Sequence, residues 1–254
     1  MSVPDAEDVA GSELLEVEAR YVSASGELIT TTVGALDGVE VVRGLPVRRI
    51  SSHAGQRHYP GSFWSATTGA HVDYESRLEL DRLWLADFDP GVAWMASQPL
   101  WLCGSDGAAR RRHAPDLLLQ GRDGLFTVVD VKPAEFAARP EVAAVFAWTG
   151  RLCAAVGWRY EVWSGAPAVV LDNVRTLASA RRADLVDPDA SATVLDVVSS
   201  EMSISAVMAA ASPPVPRSLA LSGLMWLLWS GQLATDLKQP LSEDSLVLRP
   251  EGSR

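Results

Sequence analysis

The chain has 254 residues, 48% hydrophobic and 21% charged, enough for a substantial core in one large domain or a domain with an appendage. Its formal net charge of −10 argues against a self-sufficient, tight DNA binder, although it leaves open an enzyme to which another molecule delivers DNA. Cys103 and Cys153 form no CxxC pair, and His53, His58, His71 and His113 show no ligand spacing, so neither a disulfide framework nor a zinc site is indicated and a cytoplasmic setting is expected. The acidic start lacks a signal-peptide pattern, and the longest apolar run, Leu219 to Trp229, is too short to span a bilayer, so no membrane partner is expected.

Residues 1–12 read as a disordered acidic leader. From Leu14 to Val47, β-branched alternation predicts strands, broken at Ser25-Gly26 and Asp37-Gly38. Residues 48–70 predict a loop whose basic and aromatic mixture suits either a DNA backbone or an anchored surface loop. Between Tyr74 and Pro90, Leu78, Leu85 and Phe88 recur at helical spacing, with Asp-Pro-Gly as the stop. Glu75 and Glu79 share a face of that helix: ordinarily a solvated stripe, but a third carboxylate if the helix crosses the functional end of a sheet. Val92 to Leu102 predicts a strand with Gln98-Pro99 inside it, and Pro favours an edge or an irregularity. Cys103 to His113 then reads as a polar loop carrying Arg110, Arg111 and Arg112, either solubilising or phosphate-contacting.

The most informative stretch follows. Pro115-Asp116 opens one apolar run, Asp123-Gly124 signals a hairpin, and the returning run ends in Asp130-Val131-Lys132-Pro133. Side chains alternate along a strand, so Asp130 and Lys132 should project to one side. A hairpin would bring Asp116 to the same end. Two carboxylates and an ammonium converging there suit a divalent cation beside a lysine, a combination that reads as phosphodiester hydrolysis; solvated turn charges are the bland alternative.

Val142 to Val156 predicts an amphipathic helix and Trp158 to Trp163 a strand, completing an α/β core. Asn173 to Arg182 reads as a helix and 183–192 as a linker. Thr193–Ser200, Ile204–Ala211 and Arg217–Trp229 then predict three helices, and Gly231–Leu237 with Ser245–Leu248 a hairpin, together a winged-helix-like module. Acids outnumber bases eight to four from 185 to 254, the wrong sign for reading DNA, so this module is expected to dock a protein.

Glu79, Gln98-Pro99, Pro115-Asp116 and Asp130-Val-Lys132-Pro133, in that order, resemble the PD-(D/E)xK nuclease superfamily. With Tyr74-Glu-Ser-Arg-Leu-Glu-Leu80 and Asp87-Phe-Asp-Pro90, the run from about 60 to 135 looks like the TnsA-type endonuclease subunit of heteromeric transposases. The resemblance implies an endonuclease domain over 13–182 with a β-rich N-terminal extension, and a partner-docking domain over 193–254. It implies that Glu79, Asp116 and Asp130 bind the metal and that Lys132 orients or activates the attacking water. Glu75 and Gln98 would stand behind them, with Arg110–Arg112 as DNA contacts. An all-oxygen donor set suits Mg2+, or Mn2+ in its place. The family also implies cutting on the 5′ side of transposon ends, a DDE-type TnsB-like transposase acting on the 3′ side, and a TnsC-like AAA+ ATPase meeting the C-terminal module. Two other classes stay open: a stand-alone nuclease of restriction or repair type, and a non-catalytic assembly subunit that keeps the fold.

Overall fold

The computed structural model describes residues 12–48 and 59–250, a mixed α/β chain. The expected leader and the middle of the 48–70 loop lie largely outside those residues. Two compact units emerge, one within Met1–Ala86 and Gly91–Gly165, the other within Asp87–Pro90 and Ala166–Arg254.

The first unit begins with strands β1 (Glu18–Val22) and β2 (Leu28–Thr32), an antiparallel pair as the sequence predicts. Asp37-Gly38 is no strand turn, however. The Asp37 carboxylate accepts from Val39 N and Glu40 N and caps helix α1 (Gly38–Arg43). Val41 and Val42 are buried there, so β-branched residues serve the core from a short helix and tertiary packing overrides their strand preference. Part of the expected 48–70 loop is instead a hairpin, β3 (Gly61–Ser65) with β4 (Ala70–Tyr74), in which Phe63 faces Val72. Helix α2 (Arg77–Phe88) starts three residues later than Tyr74.

The expected single strand from Val92 to Leu102 is two, β5 (Val92–Ser97) and β6 (Trp101–Ser105), separated at Gln98-Pro99. The polar loop after it is also partly a strand: β7 (Arg110–His113) pairs back onto β6 around the turn at Asp106-Gly107. The hairpin read from Asp-Gly forms as expected, β8 (Leu117–Gly121) with β9 (Phe126–Val131), and Gly124 takes the left-handed φ of +82° that its turn demands. After a single turn, α3 (Ala134–Ala137), helix α4 (Pro140–Ala155) crosses over to β10 (Arg159–Trp163). β10 runs parallel to β9, Tyr160 opposite Val128 and Val162 opposite Asp130.

One sheet therefore has the order β10-β9-β8-β5 and a second β2-β1-β6-β7. Ala19, Leu102, Leu118, Val128, Trp148 and Leu152 join them and α4 in one buried core.

In the second unit, helix α5 (Ala168–Leu177) starts upstream of the helix expected at Asn173, and Pro188, inside the expected linker, opens α6 (Pro188–Val197) under an Asp187 cap. The second compact unit takes up the chain from Ala166 onward. Next come β11 (Met202–Ser203), α7 (Ile204–Ala211), α8 (Arg217–Trp229), β12 (Ala234–Thr235) and β13 (Leu246–Leu248). The three short strands form an antiparallel sheet ordered β11-β13-β12. Among the described residues no helix is long and apolar enough to cross a membrane.

Candidate functional site

Asp116 stands just ahead of β8, and its Oδ2 accepts from Val131 N at 2.7 Å, which ties it to the far end of β9. That bond brings Asp116 to the end of β9 that carries Asp130. Asp130, the last residue but one of β9, is 1% exposed. Its carboxylate receives His113 Nε2 at 2.9 Å from each oxygen and the Tyr160 hydroxyl at 2.5 Å on Oδ2. Burial and the neighbouring Asp130 charge push the Tyr160 phenol far above its ordinary range, so the hydroxyl remains a donor.

Glu79 enters from α2 and is 7% exposed. The sequence Ser76-Arg-Leu-Glu79 has the spacing of a capping box, and the structure forms a variant of it. Glu79 N donates to Ser76 Oγ (3.1 Å), Ser76 Oγ donates to Glu79 Oε1 (2.8 Å), and Glu75 N donates to Oε2 (2.8 Å). Burial raises the Glu79 carboxyl above its ordinary value against the pull of those bonds. Glu75 itself pairs with Arg48 at 3.0 Å. Helix α2 is tied to β10: Leu78 near the helix start reaches Gly165 just past that strand, and Arg82 bridges to Glu161 within it at 2.8 Å.

The three acids act on one another through Asp116. Burial first, then the Asp130 and Glu79 charges, push the Asp116 carboxyl up to about 7, against the pull of Val131 N–H and His113. A half-buried carboxyl with that affinity for a proton is a place where positive charge is wanted. Lys132 does not supply it by an ion pair. It lies exposed one residue past β9, its backbone N–H bonded to Trp163 O, and among the described residues its ammonium has no ion-pair or hydrogen-bond partner.

Gln98 lies beside this end through its backbone: its N–H donates to Asp116 O (2.8 Å) and its carbonyl accepts from Val47 N (3.0 Å). Among the described non-glycine residues it alone has a positive φ, +44°, a conformation that costs on the order of 1 kcal/mol or more. It is 1% exposed, and neither atom of its amide finds a partner. Strain and an unsatisfied buried amide in one residue are expensive together, and both stand one hydrogen bond from Asp116.

The arginines expected to contact DNA occupy β7, with only His113 at its end reaching Asp130. Arg111 pairs with Asp106 and Arg112 stacks over Trp101 at 4.0 Å, while Arg110 is exposed. His113 and Tyr160 were not singled out as site residues by sequence reasoning. His113 sits three residues before Asp116 and was a visible signal; Tyr160 gave none, since its link to Asp130 spans 30 residues.

The donor chemistry fits Mg2+ in part. Such an ion takes one or two carboxylates and fills its remaining positions with water or phosphate oxygens. Asp116 and Asp130 suit that role, whereas Glu79 would have to leave its helix cap to join them. Among the described residues no three His, Cys, Asp or Glu side chains are gathered at ligand spacing. No family model matches the chain, and no curated protein matches it either.

Proposed function

We propose that the chain is a metal-dependent DNA endonuclease that cuts the 5′ side of transposon ends as one subunit of a heteromeric transposase. The observation that carries this reading is the bond from Val131 N to Asp116, which brings Asp116 to the Asp130 end of β9, where burial and the Asp130 and Glu79 charges push its carboxyl up to about 7. Within the sheet β10-β9-β8-β5, helix α2, the antiparallel strands β5, β8 and β9, the crossover helix α4 and the parallel strand β10 follow the order expected of a PD-(D/E)xK core, with β6 and β7 inserted into the second sheet, and this supports the same reading. Helix, strand, two helices and a two-stranded return, from α6 to β13, likewise support a winged-helix module. Arg217 on α8 is paired with Glu243, and the helix exposes Leu219 and Leu221, which favours protein docking, with a TnsC-like ATPase as the expected partner.

Asp116 and Asp130 would hold Mg2+, with Glu79 adding negative charge nearby. Bound there, the ion offsets charge building on the phosphoryl oxygens and acidifies a water ligand. Lys132, exposed and without an ion-pair partner among the described residues, would donate from Nζ to the attacking water or to a phosphate oxygen. Gln98, pinned to the Asp116 carbonyl, limits how far Asp116 can shift.

The site is tested by cleavage of an end-bearing plasmid with Mg2+ and a DDE-type transposase from a neighbouring reading frame. Asp116→Ala and Asp130→Ala are expected to abolish cutting by this subunit, and Lys132→Ala to slow it by about a hundredfold. One observation favours a second reading, a non-catalytic assembly subunit: Asp130 and Glu79 already have protein donors. Full cutting by Asp116→Ala would support that reading instead.

A further inference from the structure

The His113 contact has a particular shape. Nε2 stands 2.9 Å from both oxygens of Asp130, so the imidazole lies on the bisector of the carboxylate, where a chelated cation would otherwise sit. Tyr160 adds a third bond, to Oδ2. A carboxylate offers about four acceptor positions. Among the described residues three are filled, which leaves the outer side of Oδ1.

The surroundings hold both donors in place. Tyr160 and Asp130 share a face of the parallel β9–β10 pair. The Tyr160 ring lies against α4 at Gly150, where a methyl group would come within 3.1 Å of its Cδ1. The His113 ring meets Phe146 of the same helix edge to face, with centroids 6.2 Å apart. Both rings thus pack against α4.

We propose that His113 and Tyr160 are positioning residues that clamp Asp130 so that it takes a divalent cation through Oδ1 alone. The inference rests on the metal reading above. Its chemistry is that of outer-shell partners, which fix the orientation of a ligating carboxylate and whose loss weakens metal binding by about 10- to 100-fold. The clamp also supplies the hydrogen-bond donors that a carboxylate this buried needs. A purely structural role, satisfying a buried acid, predicts lost stability with unchanged cation affinity. Clamping predicts lost affinity in a protein that remains folded.

The experiment is Mn2+ binding to the full chain, followed by electron paramagnetic resonance, with unfolding midpoints read on the same samples. Wild type is compared with Tyr160→Phe, which keeps the ring against Gly150, with His113→Gln, and with Asp130→Asn. The expected result is a Mn2+ affinity weakened about tenfold or more in both clamp variants while they are folded, and at least as much in Asp130→Asn. Wild-type affinity in both folded clamp variants, or tighter binding in either, would overturn the clamp while leaving the metal site standing. If wild type itself bound no Mn2+, the metal reading would fall and the clamp with it. His113→Gln carries the test should the Tyr160 variant not fold, since the two residues contact Asp130 independently.

Discussion

Asp116 faces two opposed requirements at the scale of a single residue. Its place beside Asp130 and Glu79 suits cation binding, yet without a cation its charge is unwelcome, and its carboxyl rises to about 7. In the unfolded chain the same group titrates near ~3.9. Between those values the folded chain holds a proton that the unfolded chain has released, so stability falls as pH rises through 7 and is lowest above it. In chelator, the wild type should therefore lose stability relative to Asp116→Asn between pH 5 and pH 8. A difference on the order of 2 kcal/mol is expected, discounted for the partial exposure of Asp116. Urea unfolding at the two pH values measures it, and a pH-independent gap between the proteins would count against the electrostatic description of the site.

At the scale of elements, chain-local chemistry was legible and long-range chemistry was not. Asp123-Gly124 announced the β8–β9 hairpin, and α7 and α8 have the bounds their sequence predicts. Val39-Glu-Val-Val42 looks like a strand because nothing local reveals that Asp37 caps a helix whose Val41 and Val42 enter the core. The Arg110–His113 segment looked like a loop because its polar residues find an ion pair and an aromatic face only across β6. Of the candidate site, the acids and Lys132 were visible from spacing, but the His113–Asp130–Tyr160 contacts join β7, β9 and β10 and have no sequence period.

Asn173 makes the same point in the second unit. Buried on α5, it donates to Leu237 O and Gln239 O and accepts from Leu241 N, fastening the connection between β12 and β13. A spacing of 64 to 68 residues hides this from any local reading. Asn173→Ala should cost about 2–3 kcal/mol, because two carbonyls and an N–H lose their partner at once. It should also raise amide exchange first between 237 and 241, and a cost below about 0.5 kcal/mol by denaturant titration would mean that those groups are satisfied otherwise.

For the whole molecule, a net charge of −10 and the proposed nuclease activity are reconciled if DNA arrives on another protein. The basic side chains near the expected DNA-contact strand are partly committed within the chain, Arg111 to Asp106 and Arg112 to Trp101, and on α8 of the second unit Leu219 and Leu221 are exposed while Arg217 is paired with Glu243. Such a chain should hold DNA weakly alone and depend on a partner both for binding and for choice of strand.

The most direct test is strand-specific cleavage of a labelled transposon-end duplex in Mg2+, comparing the chain alone, the chain with its neighbouring DDE-type transposase, and Asp116→Ala with that transposase. The account predicts cutting on the 5′ side only in the wild-type mixture. Robust cutting by the chain alone, or 5′ cutting that survives Asp116→Ala, would contradict it.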